Sequence, residues 1–297
     1  MLSQQAESRI AADVGGTFTD IAIFDESSGK IKLGKCLTTP LHLIDGINDG
    51  VEKAGSSFDQ ANLFLHGTTT AINTLLERTG ARTALVTTHG FRDIYEIGRI
   101  NRPEAYNLFF RKHRPLIDRE LRFEVNERLY GSGEVKLDLS EENLAEIADQ
   151  IETKNVDALA IMFLHSYRNA DHEVRAKRYF QRRFPNMYIT ASHELSQEYR
   201  EYERTSTVAA NAYVGPRVSS YLAEITEHLE HKKFGGGFFI VQSTGGLYDV
   251  ESAQKECIRM LESGPAAGVI GTRELCHSMG VSDAIAFDMG GTTAKSG

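Results

Sequence analysis

The feature that most limits how this chain can fold is a duplicated turn. Asp13-Val14-Gly15-Gly16-Thr17 near the start recurs as Asp288-Met289-Gly290-Gly291-Thr292 near the end, each copy following an apolar, strand-like stretch. A glycine pair after a strand lets backbone N–H groups approach an anion, because no Cβ stands in the way and positive φ is open. In the first copy Gly15, Gly16 and the hydroxyls of Thr17 and Thr19 are candidates for holding phosphate oxygens. In the second the candidates are Gly290, Gly291, Thr292, Thr293 and Lys295. Asp13 and Asp288 are the candidate catalytic carboxylates and magnesium ligands, acting through water, since that ion prefers oxygen and keeps much of its hydration. One copy alone could be a plain hairpin turn. Two copies in separate halves are what a clamp on the phosphates of ATP requires, with hinge motion assembling the site and excluding water. A dinucleotide-binding G-x-G-x-x-G turn would lead into a helix, whereas these glycines lead into a strand, and no G-K-[ST] follows as a P-loop demands.

The remaining pattern is α/β. Residues 9–13, 19–25 and 31–38 read as three strands joined by turns, an antiparallel meander. Helical spacing at Ile44, Ile47 and Val51, a strand over 63–65, a helix over 71–78 and a strand over 83–87 extend the order to βββαβαβ. Residues 90–137 lose periodicity and predict a loop-rich excursion with a strand near 121–129. Beyond it come a helix over 140–154 capped by Ser140, a strand over 156–164, a helix over 172–184 and a strand over 187–190. Helices dominate 194–232, followed by a strand over 238–242, a turn at Gly245-Gly246, a helix over 265–278 and a strand over 284–288. The expected arrangement is two lobes, residues 1–190 and 195–297, the second incomplete. Its last glycine turn is expected to lack a return strand, leaving a disordered tail and negligible ATPase activity in the isolated chain.

Composition excludes several classes. With 33 basic and 41 acidic residues the net charge is -8, a field that repels nucleic acid and anionic membranes. The basic run Arg175, Lys177, Arg178, Arg182 and Arg183 reads as a solvated helix face. Cys36, Cys257 and Cys276 lack metal spacing and leave an odd thiol, as suits a reducing cytoplasm. No apolar run approaches a membrane span. His228 and His231, beside Lys232 and Lys233, read as a solvated face rather than a metal site.

Five further blocks sharpen the picture: His66-Gly67-Thr68-Thr69-Thr70-Ala71-Ile72-Asn73, Thr87-Thr88-His89-Gly90-Phe91-Arg92-Asp93, Glu203-Arg204-Thr205-Ser206-Thr207, Asn211-Ala212-Tyr213-Val214-Gly215-Pro216 and Ser263-Gly264-Pro265-Ala266-Ala267-Gly268. The βββαβ opening with paired glycine loops resembles the acetate-kinase, sugar-kinase, heat-shock ATPase and actin superfamily, with its ribonuclease H-like fold. The five blocks resemble the hydantoinase A / 5-oxoprolinase family, over residues 9–297. That resemblance implies ATP and Mg²⁺ as cofactors, and a cyclic amide or imide phosphorylated on oxygen for ring opening. A ketone substrate, as in the carboxylase subunits of the family, is the alternative, and a non-catalytic nucleotide-binding protein is a third. It further implies a second subunit or domain of the hydantoinase B type and an oligomer.

The blocks also have direct physical readings. Gly67, Thr68 and Thr69 follow a strand and open a helix, so their N–H groups and hydroxyls could bind an anion at the positive helix end. His66 could be an acid, a base or a hydrogen-bond donor to substrate, or a satisfied histidine in a capping turn. The small residues from Ser263 to Gly268 suit a hinge contact between the two halves. Arg200 and Arg204 could face an anion, with a surface ion-pair role as the other reading.

Overall fold

The computed structural model describes residues 8–39, 43–101, 103–289 and 294–297. Strands β1 (Ser8–Val14), β2 (Phe18–Asp25) and β3 (Lys30–Leu37) lead to helix α1 (Leu43–Lys53), β4 (Ala61–Thr68), α2 (Thr70–Leu76) and β5 (Thr83–Thr88). A short α3 (Ile94–Ile97), β6 (Arg122–Val125), β7 (Arg128–Leu129) and β8 (Val135–Leu137) occupy the aperiodic stretch. Then come α4 (Glu141–Glu152), β9 (Ala158–Met162), α5 (Asp171–Arg183), β10 (Tyr188–Ala191), α6 (Ser192–Leu195) and the long α7 (Glu201–His231). The last part holds β11 (Gly237–Val241), β12 (Leu247–Asp249), α8 (Val250–Lys255), α9 (Ser263–Ser278), β13 (Phe287–Met289) and β14 (Ala294–Ser296).

The chain folds as two compact units that are not consecutive in sequence: residues 1–78 with 217–297, and residues 79–216. This differs from the linear division at 190–195. The cause is strand pairing, since β4 lies parallel to β11 and so carries residues 237–241 into the first sheet. The crossover between units runs through α7, at Pro216, where the imino acid donates no N–H to the helix ladder.

In the first unit six strands follow the order β12-β11-β4-β1-β2-β3. The meander predicted for β1 to β3 is present as antiparallel pairs. Alternation splits the sheet into two faces. On one, Ile10, Ala12, Ile21, Ile23 and Phe64 are buried with Ile47 and Val51 of α1. Close approach there requires glycine: a Cβ on Gly34 would stand 2.4 Å from the Gly50 carbonyl oxygen of α1. Phe64 stacks on Phe238 and meets the edge of Phe58, with ring centroids 5.1 and 5.3 Å apart. The other face carries Ala11, Asp13, Asp20, Lys35 and Gly67.

The second unit is built on a four-stranded parallel sheet, β10-β9-β5-β6. All of β9 and β5 are buried, which explains the unbroken apolar run of β9, while β5 buries Thr83, Thr87 and Thr88 beside Ala84, Leu85 and Val86. Ser140 caps α4 as predicted, accepting from the Asn143 N–H at 3.1 Å. In the basic run on α5, Arg178, Arg182 and Arg183 are exposed, while Arg175 and Lys177 are half-buried and ion-paired, with Asp138 at 2.7 Å and Glu194 at 2.6 Å. Arg204 is neither a surface ion pair nor an anion ligand. It is wholly buried, donating to Ser166 Oγ, Ser192 Oγ (2.8 Å) and the Phe163 carbonyl (2.9 Å), with Glu173 3.9 Å away.

The end of the chain corrects another expectation. β13 and β14 form an antiparallel hairpin, with Asp288 opposite Lys295 and Ala286 exchanging two backbone hydrogen bonds with Gly297. The return strand that the sequence was expected to lack is therefore present, and residues 281–286 hold no strand.

Candidate active site

Asp13 ends β1 on the open face of the first sheet. Its cross-strand neighbours are Asp20 on β2 and Gly67 on β4. The carboxyl packs against two glycines from different elements: a Cβ on Gly67 would lie 3.2 Å from Asp13 Oδ1, and one on Gly264 of α9 only 2.9 Å away. Helix α9 is held there by Ser263, whose hydroxyl donates to the Thr68 carbonyl at 3.0 Å and accepts from the Thr68 N–H at 3.1 Å. The small-residue block thus seats a helix start over Asp13 inside one unit. The contact joins residues that the sequence assigned to different halves and that the structure places in one unit.

The first glycine turn is tightly held. Gly15 N–H donates to the Phe18 carbonyl at 2.9 Å, Thr38 Oγ1 donates to the Gly15 carbonyl at 2.9 Å, and Thr69 N–H donates to the Val14 carbonyl at 3.1 Å. A cavity of about 190 Å³ opens beside it, lined by Asp13, Gly15, Gly16, Thr17, Thr69 and, from the hairpin, Asp288 and Lys295. A second, more apolar cavity of about 660 Å³ shares Asp13 and Asp288 and adds Gly67, Leu33, Leu65 and Val241.

Charge in the cleft is predominantly acidic. Both lysines are ion-paired: Lys35 with Asp20 inside the cleft at 2.7 Å, and Lys295 with Glu262. Although the Asp13 side chain opens onto the cavities, its carboxyl is packed against backbone. This burial, then the neighbouring Asp288 and Asp20 carboxylates, push its pKa up to about 6, against a smaller opposing pull from Lys295 and Lys35. A divalent cation would relieve that repulsion, and the oxygen donors suit magnesium. Among the described residues no group of three or more His, Cys, Asp or Glu side chains gathers to hold an ion by itself. Water and phosphate oxygens would have to complete its shell.

Several sequence candidates lie elsewhere. His66 is paired with Ala12, so alternation turns it to the covered face, away from Asp13. There it is fully buried, with Nε2 2.8 Å from the Tyr221 hydroxyl. Burial lowers its pKa to about 4, a hydrogen bond with the Ala12 backbone partly opposing. This geometry is that of a core histidine held at Nε2 by Tyr221, and Nδ1 has no hydrogen-bond partner of standard geometry among the described residues. Thr19 also faces inward, its hydroxyl 3.1 Å from that of Thr38. Thr68 is buried and its hydroxyl meets Thr70 Oγ1 at 2.8 Å. Gly290, Gly291, Thr292 and Thr293 lie outside the described residues. Asp20, Lys35 and Gly264 were not singled out for the site, and the face that Asp20 takes became readable only with the β1–β2 register.

Similarity to known proteins agrees with this architecture. Residues 9–184 match the hydantoinase/oxoprolinase N-terminal region, and residues 204–297 match hydantoinase/oxoprolinase. An uncharacterized protein of Methanocaldococcus jannaschii is 42% identical over 290 residues, 97% of this chain and 43% of that protein. The caprolactamase alpha subunit of Pseudomonas jessenii is 30% identical over 295 residues, 96% of this chain and 42% of its own length. The crystal structure of ATP-dependent caprolactamase from that organism has a TM-score of 0.83, covering 96% of this chain and 43% of that one, at 30% identity. A nucleotide-free structure of acetone carboxylase has a TM-score of 0.88 at 24% identity, covering 98% of this chain and 44% of that one, a likeness of fold. The chain therefore spans less than half the length of these relatives. It shares the α/β, actin-like ATPase-type fold of these structures, and with both regions matched in sequence order, it belongs to the hydantoinase/oxoprolinase family.

Proposed function

We propose that this chain is the ATP-binding part of an ATP-dependent hydrolase that phosphorylates a cyclic amide or imide on oxygen, activating it for ring opening. The observation that carries the reading is that Asp13, Gly15, Gly16 and Thr17 of the first segment line one cavity with Asp288 and Lys295, which stand on either side of the second Gly-Gly-Thr in sequence. Phosphoryl transfer needs positioning and charge neutralisation above all. Here the Gly15-Gly16 backbone would cradle phosphate oxygens, Lys295 would offset their charge, and Asp13 and Asp288 would hold a hydrated magnesium ion. Magnesium, when bound, would supply Lewis-acid neutralisation of the phosphates. Transfer of the γ-phosphoryl group to the amide oxygen converts a resonance-stabilised group into one that water can open. The larger, apolar cavity beside Asp13 is of a size for a small carbonyl compound.

His66 in this reading positions the end of β4 and does not touch substrate. The relative named as an alpha subunit supports a second polypeptide, of the hydantoinase B type, as the completing partner in an oligomer. Three cysteines outside any disulfide, two of them buried, support a reducing, cytoplasmic setting, and among the described residues no helix is long and apolar enough to cross a membrane.

The test is a titration of the protein with Mg-ATP, followed by phosphate release with a panel of lactams, hydantoins and ketones. Gly16→Val should abolish measurable nucleotide binding, because a β-branched side chain would occupy the phosphate approach. Unchanged affinity in that variant would overturn the reading, and release stimulated by ketones alone would replace the hydrolase with a carboxylase.

A further inference from the structure

The second unit has a cavity of its own, about 320 Å³, formed by the aperiodic stretch after α3 and the start of α7. Tyr95, Phe110 and Tyr202 give it aromatic walls, and Arg99, Arg111 and Lys112 stand around it.

Most of the charges here are matched. Glu96, which lines the cavity, is engaged by the buried Arg122 at 2.9 Å. Arg99 is engaged by Glu203 at 2.5 Å. Arg114 reaches Asp118 at 3.3 Å. Among the described residues two cations, Arg111 and Lys112, remain without an ion pair. Lys112 reaches only the Glu96 backbone carbonyl, at 3.4 Å, and Arg111 has no ion pair among the described residues. The Ser206 hydroxyl also lines this cavity, closed off from solvent and without a hydrogen-bond partner among the described residues. A buried hydroxyl left unpaired in the free protein is a donor waiting for an acceptor.

We infer that this cavity binds a small organic carboxylate with an apolar body. The aromatic walls take the body, Arg111 and Lys112 take the carboxylate, and Ser206 donates to one of its oxygens. Arginine's planar fork matches a carboxylate, and the apolar walls distinguish such a ligand from a bare inorganic anion. The volume lies at the lower end of pockets that enclose small ligands. This site lies wholly within residues 95–206 and is separate from the Asp13 cleft.

The test uses the 297-residue protein and ¹⁹F NMR with 4-fluorobenzoate, with 4-fluorobenzyl alcohol as the neutral body and inorganic phosphate as the bodiless anion. The benzoate should bind, the alcohol should not, and phosphate should fail to displace the benzoate. Arg111→Gln combined with Lys112→Gln should weaken benzoate binding by about tenfold or more, as loss of charge-assisted hydrogen bonds implies. Both side chains are exposed, so the melting temperature should not change. Ser206→Ala should weaken it by a smaller factor. Equal binding of the alcohol, efficient displacement by phosphate, or unchanged affinity in the double variant would each overturn the assignment.

Discussion

The two Asp-x-Gly-Gly-Thr segments share a pattern and differ in what holds them. The first lies inside a six-stranded sheet, with β1 flanked on both sides and the turn tied to Thr38 and Thr69. Asp288 and Met289 of the second lie on β13 of a two-stranded hairpin, in which Phe287 and Met289 are both exposed, at 67% and 71%. Equal sequence therefore does not mean equal preorganisation. A phosphate loop presents fixed dipoles only as far as its neighbours fix it.

The largest effect should come from the carboxylates. Asp13→Asn should lower Mg-ATP affinity by about 10- to 100-fold, as loss of a group that holds a metal through water commonly does. Asp288→Asn, on the freer hairpin, should cost less. Calorimetric titration of both variants decides it, and equal losses would show that the hairpin is as rigidly placed as the sheet.

Next is the packing around the first loop. Gly264→Ala puts a methyl group 2.9 Å from Asp13 Oδ1 and should destabilise the protein by about 1–3 kcal/mol. In the same helix Gly268 has nothing within 4 Å of its would-be Cβ, so Gly268→Ala should stabilise by about 0.5–1 kcal/mol. Urea unfolding of the pair separates steric contact from helix propensity. Tyr221→Phe should cost about 1–3 kcal/mol, because it removes the hydroxyl paired with buried His66. A variant melting like the parent would show that the pair does not brace β4.

The subtlest effect is in pH dependence. Asp13 is raised from 3.8 to about 6, so its contribution to stability is complete below 3.8 and is lost as pH rises through about 6. His66 is lowered from 6.5 to about 4, so its contribution is present above 6.5 and is lost as pH falls through about 4. The two slopes oppose one another. Asp13→Asn should leave only the histidine's, making the melting temperature rise more steeply between pH 4 and 6 than in the parent. An unchanged profile would mean that the Asp13 carboxyl is not held as described.

Much of the architecture was legible because it is local. Alternation marked β2, Ser140 marked the start of α4, and an unbroken apolar run marked β9. The misplacements have a common origin in partners distant along the chain. Arg204 has the spacing of a surface residue, and its burial depends on Ser166, Ser192 and Glu173 arriving from other elements. His66 stands one residue from Gly67, and a single step along a strand turns a side chain to the opposite face.

The sequence by itself determined the family, the α/β class and the two segments suited to phosphate, because glycine, threonine and aspartate at those spacings act through local backbone geometry. Only the tertiary structure decided which of the named residues meet. Parallel pairing of β4 with β1 and β11, and the seating of α9 on Asp13, put Gly67, Gly264, Asp20 and Lys35 beside the cleft and turned His66, Thr19 and Thr68 away from it. Strand register and helix docking are set by packing summed over distant elements, and no short motif carries that sum.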